Sequence, residues 1–351
     1  MGNTYTEKEM MLAAMISNCR ITDEVIDWTR DEFLLADDEA PTFQQIVLVC
    51  EEKGYDLWFR EHKEGEVNNE AKFFEWAKTE DYGNWKIVGI YDDNDNSGFY
   101  AVAIETGEYT TNNVENGVIF SARGTEPILW EQFYLDLVNT DLNIFNSDVT
   151  EQELAMYGFL DKEFAALLEE KGYSNLATTG HSLGGYLSFS AAGHIMVKGE
   201  HASEIFMQGT NIDGPGVTEE NLEANADTYA KLDPYLTHYH YTYIGGLLTP
   251  ICSNYVSITG ASDVSAYVEE LSPVWHGIFT SIFGKEFADD INILYGYYSG
   301  HTGKHALASL QFVGGNGEDA QNFDTSYVEN HKYFEVNDLI NSTVVKGNVY
   351  I

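Results

Sequence analysis

Thr179-Gly180-His181-Ser182-Leu183-Gly184-Gly185 is the stretch that decides the fold of this chain. It contains G-x-S-x-G. Asn175–Thr179, just before it, reads as a short strand, and Leu183, Leu187, Ala191 and Ile195 follow at helical spacing. A strand that turns into a helix across a glycine-flanked serine is a nucleophile elbow, a strained turn that exposes the hydroxyl. Glycines are expected there because a Cβ would meet the neighbouring strand or the incoming helix. The helix N-terminus also supplies a backbone N–H, that of Leu183, to an oxyanion. The plain alternative is a tight Gly-rich turn carrying an inert serine.

Outward from this segment, strands and helices alternate. Trp85–Tyr91 and Gly98–Ile104 predict two strands around Asp92–Ser97, and Gly117–Arg123 a third that ends in Gly124-Thr125. Thr150 with Glu153 forms a capping box ahead of a long helix, Leu154 to Lys171, which stops at Gly172. A helix over Leu183–Val197 leads to a strand over Glu204–Gly209. Such alternation predicts a largely parallel sheet covered by helices. Residues 1–80 read instead as helical and acidic, with capping boxes at Thr6/Glu9 and Thr42/Gln45 and a third short helix carrying Phe73, Phe74, Trp76 and Ala77. They hold 19 of the 57 acidic residues, expected on a solvated outer face. Only 6 prolines occur and no linker stands out, so an N-terminal helical region (1–80) packed on the remainder (81–351) is expected as one compact unit.

Composition limits the function. The 351 residues include 57 Asp+Glu and 18 Lys+Arg, a formal charge of −39, which excludes a basic footprint for nucleic acid and a polybasic patch for anionic lipid. Disorder is excluded too, because 44% of residues are hydrophobic and 14% aromatic. Cys19, Cys50 and Cys252 are too scattered for a disulfide framework or a zinc site and are expected as buried free thiols. No apolar run approaches the roughly 20 residues of a membrane span. The first one, Met10–Ile16, follows Glu7-Lys8-Glu9 and lacks the basic start of a signal peptide. A cytoplasmic protein is therefore the default expectation, or a secreted one if a signal was removed. Met1-Gly2 with Thr6 fits the short myristoylation pattern.

Gly180-His181-Ser182-Leu183-Gly184-Gly185 resembles the GHSLGG of class 3 lipases, the fungal-lipase-like branch of the α/β-hydrolases. Arg123-Gly124-Thr125 followed by Trp130 resembles that family's FRGT…W segment, with Ala122 in place of the usual Phe. Asp213-Gly214-Pro215-Gly216 resembles the DGPG of the bacterial Mbeg1-like subfamily, and His305–Phe312 is similar to its histidine segment. The resemblance covers roughly residues 85–315. It implies an α/β-hydrolase fold with a mostly parallel sheet, a serine ester hydrolase, and no cofactor or metal. It also implies that Ser182 attacks the carbonyl, that Thr125 joins the Leu183 amide in the oxyanion hole, and that residues 126–148, with Ile128, Leu129 and Trp130, form a lid. An ordinary amphipathic surface helix is the alternative for that last segment.

The remaining triad members follow in the order Ser, Asp, His. Asp263, in a loop after an expected strand over Val256–Thr259, is the first choice of acid because the family's acid follows the later strand; Asp213, one strand earlier, is the rival. His305 is the first choice of base on the family match, with His301 four residues before it as the alternative. Two further patterns have plain explanations. Asp93, Asp95, Ser97 and Gly98 begin like a calcium loop, but Ile104 stands where the bidentate Glu belongs, so a hairpin turn is expected. His238 and His240 alternate along a strand without a third ligand nearby, so structural or substrate-lining roles are expected rather than metal. Ester hydrolysis on lipid substrates is thus the leading expectation; an acyltransferase using the same triad and a non-catalytic interaction module are the alternatives. From Gly172 to Gly199 no Asp or Glu occurs, so a neutral catalytic spine sits within an acidic chain and neutral esters are the expected substrates.

Overall fold

A computed structural model describes residues 3–36, 38–57, 69–94, 96–124, 149–198, 200–240 and 249–257. Helices α1 (Glu7–Ser17), α2 (Asp23–Phe33), α3 (Phe43–Lys53) and α4 (Asn69–Ala77) precede the strands β1 (Lys86–Asp93), β2 (Phe99–Glu105) and β3 (Gly117–Ala122). Then come α5 (Glu151–Phe159), a π-helical turn (Leu160–Phe164), α6 (Ala165–Lys171), β4 (Asn175–His181) and α7 (Leu183–Lys198). Two short helices flank β5 (Phe206–Ile212): α8 (His201–Ile205) before it and α9 (Glu219–Ala224) after it. The described elements close with α10 (Ala226–Leu232), β6 (Leu236–His240) and β7 (Tyr255–Ser257). None of the helices described is long and apolar enough to cross a membrane.

The seven strands lie side by side in sequence order; β1, β2 and β3 pair antiparallel, and β3 to β7 pair parallel. This order has a consequence for the helices. Right-handed crossovers that always step in one direction deposit their helices on one face of the sheet. Accordingly α5, α6 and α7 share an apolar core with Val118, Phe120, Ala122 and Leu176. The alternate residues Ile119 and Ala177 point to the other face, where none of the described crossover helices packs.

That face is covered by the N-terminal helices. Met10, Met11, Met15 and Ile16 of α1 are fully buried, each contributing about 1.5–3 kcal/mol of burial free energy. Buried hydroxyls tie α1 to the sheet: Thr179 Oγ1 donates to Met10 O (3.1 Å) and Ser121 Oγ to Ala13 O (3.0 Å). The acidic load of this region is mostly exposed, as on Asp23, Glu24, Asp27, Asp31, Glu32, Glu51 and Glu52. Glu9 departs from that expectation. It is buried, closes the capping box by accepting from Thr6 N (2.7 Å), and accepts from the Thr111 amide (2.6 Å) as well.

The other two capping boxes form as expected, and α3 and α6 end at Gly54 and Gly172 in left-handed conformations. The helix expected over Leu154–Lys171 contains the π turn at its middle. α2 carries weaker sequence signals: its N-cap Thr22 lacks a Glu or Gln at the third position, and only Val25, Ile26 and Thr29 are buried. β5 starts at Phe206 rather than Glu204 and runs on to Ile212, because Thr210 and Asn211 pair with both neighbouring strands. Cys19, Cys50 and Cys252 are buried and free.

Candidate active site

The elbow forms at the junction of β4 and α7. Ser182 has φ 57°, a left-handed conformation that costs a non-glycine residue about 1–2 kcal/mol. The surroundings over-determine it. Ser182 N–H donates to Ile212 O (2.9 Å) on β5, and its carbonyl accepts from the amides of Gly185 (2.8 Å) and Tyr186 (3.4 Å) in α7. A Cβ on Gly180 would run into the Gly184 backbone, and one on Gly184 would meet Ala122 O, Arg123 C (2.7 Å) and Gly124 N (2.9 Å). Strand, helix and the end of β3 therefore approach one another at backbone contact, which only glycine permits. As the first residue of α7, Leu183 carries an N–H with no intrahelical acceptor, at the positive end of the helix.

The end of β3 reaches the elbow directly. A Cβ on Gly124 would lie 3.2 Å from Ser182 Cβ and 3.5 Å from Gly184 N. Arg123, just before it, is buried. Its guanidinium carbon sits 4.0 Å from the centre of the Tyr100 ring, and Nη2 donates to Asn94 Oδ1 (2.6 Å) in the β1–β2 turn. That turn is the hairpin expected at Asp93–Gly98, with Asn96 Nδ2 donating to Asp93 Oδ1 (2.8 Å); Asp95 lies outside the described residues.

Asp213 stands at the end of β5, beside Ser182. His181 and Ile212 are partners in the ladder, so the two residues leave adjacent strand ends, about 4.8 Å apart in the pairing direction. Asp213 is fully buried, has φ 52°, and its N–H donates to Tyr239 O (2.6 Å) on β6. The turn after it is stapled by Asn211, whose Oδ1 accepts from Gly214 N (2.8 Å) and whose Nδ2 donates to Pro215 O (3.1 Å). A Cβ on Gly214 would strike Ser182 O, so the Asp213–Gly216 turn is pressed against the elbow. Asn211 is a positioning residue that sequence reasoning passed over, although an Asn three residues before a turn glycine is an Asx-turn signal.

Of the residues expected in the site, Ser182, Leu183 and Asp213 come together. Thr125, Ile128, Leu129, Trp130, Asp263, His301 and His305 lie outside the described residues. β7 parallels β4 and leaves the sheet at the same edge, six residues before Asp263. His238 is buried on β6, its ring edge-on to Phe189 (6.0 Å) and Tyr255 (5.0 Å), an aromatic setting; the His240 side chain lies outside the described part. Among the described residues no group of three His, Cys, Asp or Glu side chains has a metal-binding arrangement.

No protein-family profile matches the sequence, and no curated protein matches it. Solved structures to which the chain is similar include one described as M37 lipase, at 16% identity over 68% of this chain and 69% of that one, with a TM-score of 0.39. Another is lipase II from Rhizopus niveus, at 15% identity over 64% of this chain and 74% of that one, with a TM-score of 0.34. With a mostly parallel sheet, helices on both faces and a strand–serine–helix elbow at its centre, the chain has the α/β-hydrolase fold.

Proposed function

We propose that the protein is a serine ester hydrolase whose nucleophile is Ser182. The observation that carries this is the left-handed Ser182 at the β4–α7 elbow, with glycines on both sides in backbone contact with β3. Left-handed non-glycine residues cluster at functional sites, and a strand–serine–helix elbow between glycines is the turn that presents a nucleophilic hydroxyl. In the proposed reaction Ser182 Oγ adds to the ester carbonyl while His305 takes its proton. The carbonyl oxygen becomes an oxyanion held by the Leu183 amide and by Thr125, the residue after Gly124. Collapse expels the alcohol, protonated by His305, and leaves an acyl-serine. Water, deprotonated by the same histidine, then releases the carboxylic acid.

Asp263 orients the histidine in this proposal. The six residues after Ser257 can span about 20 Å fully extended, enough to cross the roughly 14 Å of three strand spacings back to Ser182. Asp213 is the rival, one strand from Ser182 and buried. His301 remains the alternative base. Residues 126–148, with Ile128, Leu129 and Trp130, are proposed as a lid, and the N-terminal region 1–80 and residues 81–351 as one compact unit. The Mbeg1-like branch of the class 3 lipases is proposed from Asp213–Gly216 and His305–Phe312. Neutral lipid esters are the proposed substrates, because the charge of −39 disfavours anionic bilayers and released fatty-acid anions alike.

A fluorophosphonate probe tests the nucleophile. It is expected to label Ser182 in the folded protein and to leave Ser182→Ala unlabelled, alongside turnover of p-nitrophenyl esters that the same substitution abolishes. Absence of labelling in folded protein refutes the proposal.

A further inference from the structure

A recess lies along α7, lined by residues of α5, α7, α9 and α10 and by the turn that follows Asp213; its volume is about 250 Å³ and Ser182 does not line it. Glu153 stands in its wall and is almost fully buried. One carboxylate oxygen, Oε2, closes the capping box by accepting from Thr150 N (3.0 Å). The other, Oε1, accepts from the hydroxyls of Tyr157 (3.3 Å), Tyr186 (3.1 Å) and Ser190 (2.5 Å). Every one of these donors is neutral. Among the described residues no Lys, Arg or His pairs with Glu153. The nearby His194, stacked on Tyr157 at 4.2 Å between ring centres, is held by Asp161 (2.7 Å), as is Lys198 (2.7 Å).

The recess thus combines a buried carboxylate that no described cation pairs with and the side chains of Tyr157, Tyr186, Tyr229 and Phe189. Burial and the Glu153 charge hold the tyrosine hydroxyls protonated: those of Tyr157 and Tyr186 well above their usual range, that of Tyr229 pushed up to about 12. Neutral aromatic side chains in the same wall as one carboxylate disfavour anions and favour a soft cation that sheds its water readily. Sites for drug-sized ligands measure about 300–1,000 Å³, so this recess suits a small head group and not a long acyl chain. We propose that it binds a small quaternary ammonium ion of the trimethylammonium type. The proposal is independent of Ser182 chemistry, and Glu153 acts in it as counter-charge.

Calorimetric titration of the full chain with choline and with tetramethylammonium, against 3,3-dimethylbutan-1-ol as the neutral isostere of choline, decides it. Both cations are expected to bind saturably at one site, and the isostere roughly tenfold more weakly or worse. Glu153→Gln keeps a side chain able to serve the capping box but removes the charge, and should weaken cation binding by about tenfold or more. Tyr229→Leu is expected to weaken it as well, and serves as the deciding variant should Glu153→Gln fail to fold. Ser182→Ala should bind like the wild type, so a failed esterase assignment leaves this result intact. No saturable binding up to tens of millimolar, equal binding of the isostere, or full binding by a folded Glu153→Gln protein would overturn the proposal.

Discussion

Gly184→Ala puts the elbow to its sharpest test. The new methyl would point at three backbone groups: Ala122 O, Arg123 C at 2.7 Å and Gly124 N at 2.9 Å. None belongs to a flexible side chain, so relief requires α7 to move away from the end of β3. Overpacking of this kind costs about 1–3 kcal/mol. Against it stands the helix propensity gained when alanine replaces glycine, about 0.5–1 kcal/mol. The net effect is destabilisation of up to about 2.5 kcal/mol, a fall of a few °C in melting temperature. The same change at Gly158 of α5 meets no atom within 4 Å and retains only the propensity gain, so its sign is opposite. The catalytic effect should exceed the thermal one. A displacement of about 1 Å between Ser182 and its oxyanion donors reduces turnover by on the order of 10²-fold. Calorimetry and the rate of fluorophosphonate labelling, measured on both variants, check the two halves. A Gly184→Ala protein that melts and labels like the wild type refutes the close approach of β3 and α7, and with it the geometry assigned to the oxyanion hole.

Further predictions concern the nucleophile, its partners, the core and alkaline pH. Ser182→Gly removes a side chain from a left-handed position and should raise stability by about 1 kcal/mol while abolishing ester turnover, which urea melts and p-nitrophenyl acetate assays check together. Asp263→Asn should lose far more activity than Asp213→Asn, and His305→Ala than His301→Ala; the reverse order in initial rates reassigns the acid or the base. Met15→Ala, at a fully buried position of α1, should cost about 2–5 kcal/mol in urea unfolding, and a cost near zero would show that α1 is not part of the core. Burial pushes the thiols of Cys50 and Cys252 up to about 12 from 9.0, and the Tyr229 hydroxyl to about 12 from 10.0. The native state holds these protons while the unfolded chain releases them. Stability is therefore full below pH 9 and falls as pH rises, by about 1.4 kcal/mol per pH unit for each group, between pH 9 and 12 for the two thiols and between pH 10 and 12 for Tyr229. Unfolding free energies measured across that window give the slope; a flat profile contradicts the burial.

Local chemistry in the sequence by itself determined the helix starts and the elbow. Thr6/Glu9, Thr42/Gln45 and Thr150/Glu153 fix their helix starts through bonds between residues three apart, and Gly180 and Gly184 mark the elbow around Ser182 because backbone collisions exclude a Cβ at both glycines. Such interactions span a few residues and leave a mark in the order of amino acids. Only the tertiary structure decided what the N-terminal helices are for. With five parallel strands in sequence order, right-handed crossovers put the described crossover helices on one face of the sheet, and α1 covers the other; the apolar run Met10–Ile16 announces burial but not the face it fills. The same holds for Glu153. Its spacing from Thr150 announces a helix cap, but its second oxygen meets Tyr186 and Ser190, more than 30 residues away along the chain. A buried carboxylate in the same wall as aromatic side chains depends on how α5, α7 and α10 pack, because contacts between distant segments are set by shape and burial rather than by sequence spacing.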